Sequence, residues 1–164
     1  MEIKAYNYQY FDIIYEVIHK TIEEIYPKYY PREAVDFFHN HHSKENMEKQ
    51  LPDEYTLVIF ENDIITGTGT LAGNEIKRFF ILPEYQGKGY GKILLEELEK
   101  NIDCKKYDKL ILDASLGAVK FYERNGYVYK QYQTIDLPDT HFLCYLEMEK
   151  IMSNKFSNKF VAIE

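Results

Sequence analysis

The stretch Gln86-Gly87-Lys88-Gly89-Tyr90-Gly91-Lys92 sets glycine at every second position, between an apolar run ending at Leu82 and a helical pattern. Glycine leaves backbone N–H groups uncovered and accepts dihedrals closed to other residues. A helix that follows such a loop turns its free N-terminal donors, and the positive end of its dipole, toward whatever the loop holds. Lys88 and Lys92 add charge. Together these features describe a pyrophosphate site, since a plain strand-to-helix turn needs only one glycine. Two familiar nucleotide loops are excluded by spacing. No Gly-x-x-x-x-Gly-Lys-Ser/Thr occurs. Gly87 and Gly89 begin a dinucleotide fingerprint, but position 92 is Lys and no first strand–helix–strand unit surrounds them.

Other reactive side chains are scattered. Cys104 and Cys144 have no metal-type spacing and no disulfide framework, and Cys104 follows a helix C-terminus, whose negative dipole end disfavours a thiolate. Both therefore read as structural. His39, His41 and His42 sit at the end of a helical pattern, and His39 and His42 share a face with Glu45. No established ligand motif accompanies them, so no metal is expected. Glu23, Glu24, Glu33 and Asp36 cluster nearby, either as favourable helix-dipole placement or as a carboxylate-lined mouth for a small cationic partner.

The elements that must position these groups follow from period. EIKAY opens the chain as a short strand, and Phe11, Ile14, Ile18, Ile22 and Ile25 describe an amphipathic helix ended by Pro27. A second helix over 32 to 42 is followed by a polar stretch, HSKENMEKQLPDE. Strands at 56 to 60, 64 to 71 and 75 to 82 are joined by turns at Glu61-Asn62-Asp63 and Gly73-Asn74. Leu94, Leu98 and Ile102 mark a helix over 90 to 102. KLILDA, a helix in LGAVKFYERNG, then YVYKQYQTI and HFLCYLEME complete the pattern, with Phe142, Cys144, Leu146 and Met148 on one strand face. The order β-α-α-β-β-β-α-β-α-β-β predicts an α/β (mixed α+β) domain, a central mixed, mostly antiparallel twisted sheet with helices on both faces.

At 164 residues this is one domain over 1 to 149, with an appendage over 150 to 164 that carries SNKF twice. That appendage is either a frayed terminus or an added or exchanged strand, which leaves a homodimer open. A net charge of −7 argues against a general nucleic-acid binder. No apolar run is long enough to span a bilayer and no signal peptide opens the chain, so a cytoplasmic protein with no membrane partner is expected.

Two signatures identify a resemblance. Gln86-Gly87-Lys88-Gly89-Tyr90-Gly91 matches the Gln/Arg-x-x-Gly-x-Gly/Ala signature of the GCN5-related N-acetyltransferases, and the preceding RFFILPEY is similar to that family's bulged strand. Ser115-Leu116-Gly117-Ala118-Val119-Lys120-Phe121-Tyr122 matches the second, Asn/Ser-x-x-Ala-x-x-Phe-Tyr. The resemblance implies an acyl-CoA N-acyltransferase-like fold and acetyl-CoA as cosubstrate. Its pyrophosphate would rest on residues 87 to 92, and its pantetheine arm beside Phe79, Phe80 and Ile81, with a bulge amide aimed at the thioester carbonyl. Tyr122 matches the tyrosine that protonates the departing thiolate. Ser115 caps the second motif helix, contacts the cofactor arm, or does both. The acceptor would be an amine, and its proton would go to Glu75, Asp113 or a water relay. Glu75 is the first choice because strand alternation sets it on the face of Lys77 and Phe79. The implied activity is direct acetyl transfer in a ternary complex; a coenzyme-A-binding sensor without turnover is the alternative.

Overall fold

Thr66-Gly67-Thr68-Gly69-Thr70 runs through the middle of the sheet, where its three threonines are buried. The computed structural model describes residues 1–138 and 141–152. Thr66 Oγ1 donates to the Ile59 carbonyl (3.2 Å), Thr68 Oγ1 to that of Leu57 (3.1 Å), and Thr70 shares a hydrogen bond with Thr56 (2.8 Å). These bonds satisfy hydroxyls that burial would otherwise penalise. The hairpin consists of β2 (Tyr55–Glu61) and β3 (Ile64–Ala72), following the N-terminal strand β1 (Glu2–Ala5). It closes on Asn62 and Asp63, both at positive φ (48° and 64°), the turn geometry that fits twisted strands.

With β4 (Glu75–Ile81), β5 (Lys109–Ala114), β6 (Val128–Asp136) and β7 (Phe142–Ile151), the strands form one seven-stranded sheet in the order β1-β2-β3-β4-β5-β7-β6. Every neighbouring pair is antiparallel except β4–β5. Helix α1 (Phe11–Ile25) packs on β3 and β4, burying Ile14, Ile18 and Ile22 against Val58, Phe60, Ile65 and Phe80. A later helix, Tyr90–Glu99, covers the other face and buries Leu94, Leu95 and Leu98 against Leu57, Ile59, Ile76 and Leu112. The mixed, mostly antiparallel sheet with helices on both faces is therefore the one expected from the element order.

Four details differ from the sequence reading. Between α2 (Arg32–His41) and β2 lies an additional helix, α3 (Lys44–Gln50), in what reads as a polar connection. Ser43 caps it by accepting from the Asn46 N–H (3.4 Å), and Met47 is its one buried residue, so no apolar period marks it. Helix α4 (Tyr90–Glu99) ends before Ile102, and α5 is confined to Val119–Arg124. In β7, Phe142 is exposed while Leu143 is buried. The strand feeds both layers by alternation, Leu143 packing with the α1-side core and Leu146 and Met148 with the α4-side core, so its Phe142 end lies outside the buried part of that face. The tandem SNKF lies outside the described residues.

The expected bulge is present in β4. Thr70 pairs with Lys77 and Thr68 with Phe80, leaving Arg78 and Phe79 opposite Gly69. Arg78 has φ 47°, a left-handed conformation within a strand. Among the described residues no helix is long and apolar enough to cross a membrane.

Gly67 fixes how closely β3 and β4 approach. A Cβ there would come within 2.7 Å of the Phe80 carbonyl oxygen and run into the Ile81 side chain. Gly67→Ala is expected to destabilise the fold by about 1–3 kcal/mol, the usual range for overpacking, measured by urea unfolding. An unchanged midpoint would mean that β4 can shift freely.

Candidate active site

Strands β4 and β5 stay together only briefly. Their parallel ladder consists of Glu75–Ile111 and Ile76–Leu112, after which they part. Beyond that point the backbone of Phe79, Phe80 and Ile81 borders a cavity of about 690 Å³ that extends to the loop at Gln86–Lys92 and to α5. A second cavity, of about 330 Å³, opens from the α2 side. Tyr26, Phe79, Phe80, Ser115, Ala118 and Tyr122 line both, so they form the throat where the two meet.

The glycine loop is shaped as its sequence requires. Gly87 and Gly89 have φ 75° and 91°, and a Cβ on either would meet no atom within 4 Å, so the loop is an open cradle. Gly89 stands directly before α4, whose first-turn N–H groups face the same space. Gly91 lies on that turn, its Cβ position 3.3 Å from the Phe121 ring. Gln86 Nε2 donates to the Ile81 carbonyl (2.8 Å), tying the loop to β4. Lys92 lines the cavity. Lys88 and Tyr90 do not: the Lys88 ammonium lies 5.1 Å above the Tyr85 ring, and Tyr90 is hydrogen-bonded to Glu61. Two cations missed in the sequence, Lys120 and Arg124, line the cavity from α5. Their i, i+4 spacing, which places them on one helix face, was the available signal.

Tyr122 is buried with its ring against Phe79, Phe121 and Tyr127 (centroids 6.1, 5.1 and 5.6 Å). Burial, with the nearby Tyr26 adding to it, raises its pKa above the ordinary phenol value, so it stays protonated. Tyr26 is pushed up to about 12 by burial, partly offset by its hydrogen bond to Ser115. Ser115 thus faces the throat and does not cap α5, whose N-cap is Ala118. Tyr30 accepts from the Leu116 N–H (2.7 Å) and donates to the Cys144 carbonyl (3.1 Å), bracing the β5–α5 loop against β7. Neither Tyr26 nor Tyr30 belongs to a recognisable motif.

The second cavity carries Glu75, Lys77 and Asp113 beside aromatic walls from Phe37, Phe38 and Tyr145. Burial, then the charges of Glu75 and Glu147, raise the Asp113 carboxyl above its usual range. Glu75 and Lys77 share this side as alternation requires, but the bulge moves Phe79 to the α4 side with Ile76, and Phe80 takes the α1 side. Glu23, Glu24, Glu33 and Asp36 do not line the cavity. Arg32 holds Glu23 (2.7 Å) and Asp36 (2.8 Å), so these carboxylates bind α2 to α1 and form no mouth.

The family model for the acetyltransferase (GNAT) domain matches residues 26–151, which include the cradle, the throat and both cavity walls from β4 and β5. The chain belongs to the GNAT acetyltransferase family. Three solved structures illustrate the shared fold. A GCN5-related N-acetyltransferase from Rhodopseudomonas palustris, also described as an aminotransferase, class-II, is 23% identical, with 92% of this chain and 95% of that one covered and a TM-score of 0.84. PaiA N-acetyltransferase from Thermoplasma acidophilum, solved in complex with coenzyme A, is 22% identical, with 93% and 100% covered and a TM-score of 0.72. The ribosomal-protein-S18-alanine N-acetyltransferase from Escherichia coli is 15% identical, with 97% and 98% covered and a TM-score of 0.69. At such identities the likeness is one of fold. No curated protein matches the chain in sequence.

In this GNAT chain the histidines link helices. His39 Nε2 lies 2.9 Å from Glu23, its Nδ1 lies 2.6 Å from His19 Nδ1, and His19 Nε2 donates to the His42 carbonyl (2.9 Å). His42 is buried edge-on to the Phe80 ring (5.2 Å). Among the described residues no group of three or more His, Cys, Asp or Glu is arranged to hold a metal ion. Cys104 is exposed and Cys144 half-buried, both as free thiols.

Two outcomes follow from this packing. Tyr30→Phe removes the partner of the Leu116 N–H and the Cys144 carbonyl, and is expected to lower unfolding free energy by about 1–3 kcal/mol. A stability equal to wild type would show that water replaces the hydroxyl. His42 has its pKa lowered to about 3, first by burial and then by His41, Arg78, His19 and His39, whereas an unfolded imidazole titrates near ~6.5. Between those values only the unfolded state takes up the proton, so the contribution is complete above pH ~6.5 and is lost as pH falls. Urea unfolding at pH 7 and 5 is expected to differ by about 2 kcal/mol more in wild type than in His42→Gln. Equal slopes would mean that His42 is not held neutral.

Proposed function

We propose that this GNAT protein transfers the acetyl group of acetyl-CoA to a primary amine, by direct attack in a ternary complex. The observation that carries the proposal is the position of Tyr122, a phenol kept protonated by burial at the throat joining the two cavities. One cavity suits the cosubstrate. Its open glycine cradle, helix N-terminus and cations Lys92, Lys120 and Arg124 fit a pyrophosphate. The unpaired edge of β4 at Phe79–Ile81 fits an extended amide-bearing arm, which can add to the sheet as a strand does. When bound, acetyl-CoA supplies a thioester whose carbonyl carbon forms a bond to the amine nitrogen as its C–S bond breaks.

The chain's residues supply the rest. A backbone amide at the β4 bulge donates to the carbonyl oxygen as negative charge develops there. Tyr122 gives its proton to the departing sulfur. Glu75, with the raised carboxyl of Asp113 near it on the acceptor side, takes the proton that the attacking amine loses. Ser115 and Tyr26 order the throat through their mutual hydrogen bond. Neither free cysteine is needed for an acyl-enzyme, because amine and thioester meet directly.

The test is acetyl-CoA-dependent thiol release across a panel of primary amines. Tyr122→Phe is expected to lower kcat by about 10²–10⁴-fold, the usual contribution of a general acid, with KM for acetyl-CoA little changed. Equal turnover in the variant would remove Tyr122 from the mechanism. Tight acetyl-CoA binding without release for any amine would identify a sensor instead.

A further inference from the structure

Among the described residues three non-glycines have positive φ, and two of them, Asn62 and Asp63, are turn residues of types that tolerate it. The third is Arg78, in the interior of β4. Arginine has no local means of stabilising a left-handed backbone, so the conformation must be held from outside. The restraint is visible. The Arg78 side chain is 4% exposed and forms an ion pair with Glu54, itself 12% exposed. It also hydrogen-bonds Gln50, the last residue of α3. Lys77, the preceding residue, reaches the same Glu54 carboxylate at 3.0 Å. Two consecutive strand residues are thus anchored to the α3–β2 connection, directly ahead of Phe79 and the throat. Opposite the bulge, a Cβ on Gly69 would come within 2.9 Å of the Phe79 ring.

We infer that Arg78 is a positioning residue whose guanidinium, anchored by Glu54 and Gln50, holds the left-handed backbone that makes the β4 bulge and aims its amide into the throat. The inference rests on the acetyl-transfer reading for its kinetic consequence, but not for its structural one. Arg78 and Gln50 are among the residues that line the second cavity, but the guanidinium is taken up by Glu54 and Gln50, so its inferred action is through the backbone of Phe79 and Phe80. Its guanidinium therefore matters for the rate of the chemical step more than for the affinity of acetyl-CoA.

Comparison of Arg78→Ala with Arg78→Gly gives a distinguishing test, since both lose the guanidinium but only glycine enters the left-handed region freely. Arg78→Ala is expected to lose about tenfold or more in kcat with KM for acetyl-CoA within about twofold, and Arg78→Gly to recover most of that loss. The reverse order, or a change confined to KM, would overturn the inference. A second readout needs no turnover. In Gln50→Ala/Glu54→Gln, which leaves Arg78 intact, the Arg78 Cα and Cβ chemical shifts are expected to move from left-handed toward extended values. Shifts that stay at wild-type values would overturn the inference even in a protein that releases no thiol. Thiol release absent from wild type, with the shift change present, would instead retire the acetyl-transfer reading and keep the anchor.

Discussion

Strands β4 and β5 share two register pairs and then part, and the site exists only because the sheet survives that separation. It survives because each strand is firmly paired on its other side. β4 follows β3 from Glu75 to Ile81 apart from the bulge, and β5 follows β7 over its full length, from Lys109–Ile151 to Ala114–Leu146. The two halves are further held by α1 on one face and α4 on the other. What remains is a strip of strand backbone in the centre of a sheet with no strand opposite it. Backbone donors and acceptors in such a place need partners, so the strip favours a ligand that can supply amide hydrogen bonds.

Aromatic packing keeps this gap at a fixed width. Tyr30 bridges β7 and the β5–α5 loop through one hydroxyl. Tyr127 donates to Glu99, which also takes Lys150, so α4, α5 and β7 converge behind Tyr122. Phe79, Phe121 and Tyr122 then pack as a cluster at the throat. Each ring excludes water from Tyr122, and that exclusion is the cause of its raised pKa. The same packing that stabilises the fold therefore sets the protonation state of the proposed acid. Stability and chemistry are coupled here through desolvation.

The sequence made the cofactor side legible and left the acceptor side obscure, for a physical reason. Gly87, Gly89 and Gly91 act locally, through their own dihedrals and the helix that follows, so their spacing alone announces the cradle. The strands and α1 were legible because one buried face imposes a period on neighbouring residues. Arg78 works the other way. Its left-handed conformation is held by Glu54 and Gln50, which are distant in sequence, and nothing in RFFIL signals that anchor. Alternation places Phe79 with Glu75 until the bulge reverses it, because a single inserted residue flips every later side chain. Tyr26 and Tyr30 gain their roles only when the end of α1 meets the β5–α5 loop. Helix α3 rests on one cap and one buried methionine, too little for a pattern.

The anchoring of Arg78 also shapes the charge of the second cavity. Glu54 pairs with both Lys77 and Arg78, so one carboxylate is set against two cations. Across the cavity the Asp113 carboxyl is raised first by burial and then by repulsion from Glu75 and Glu147. A positive charge placed between these carboxylates would relieve that repulsion, which is the electrostatic setting that the proposed deprotonation by Glu75 calls for. The charge of this wall is thus set by how two strand cations share a single carboxylate, and not by the number of acidic residues in the chain.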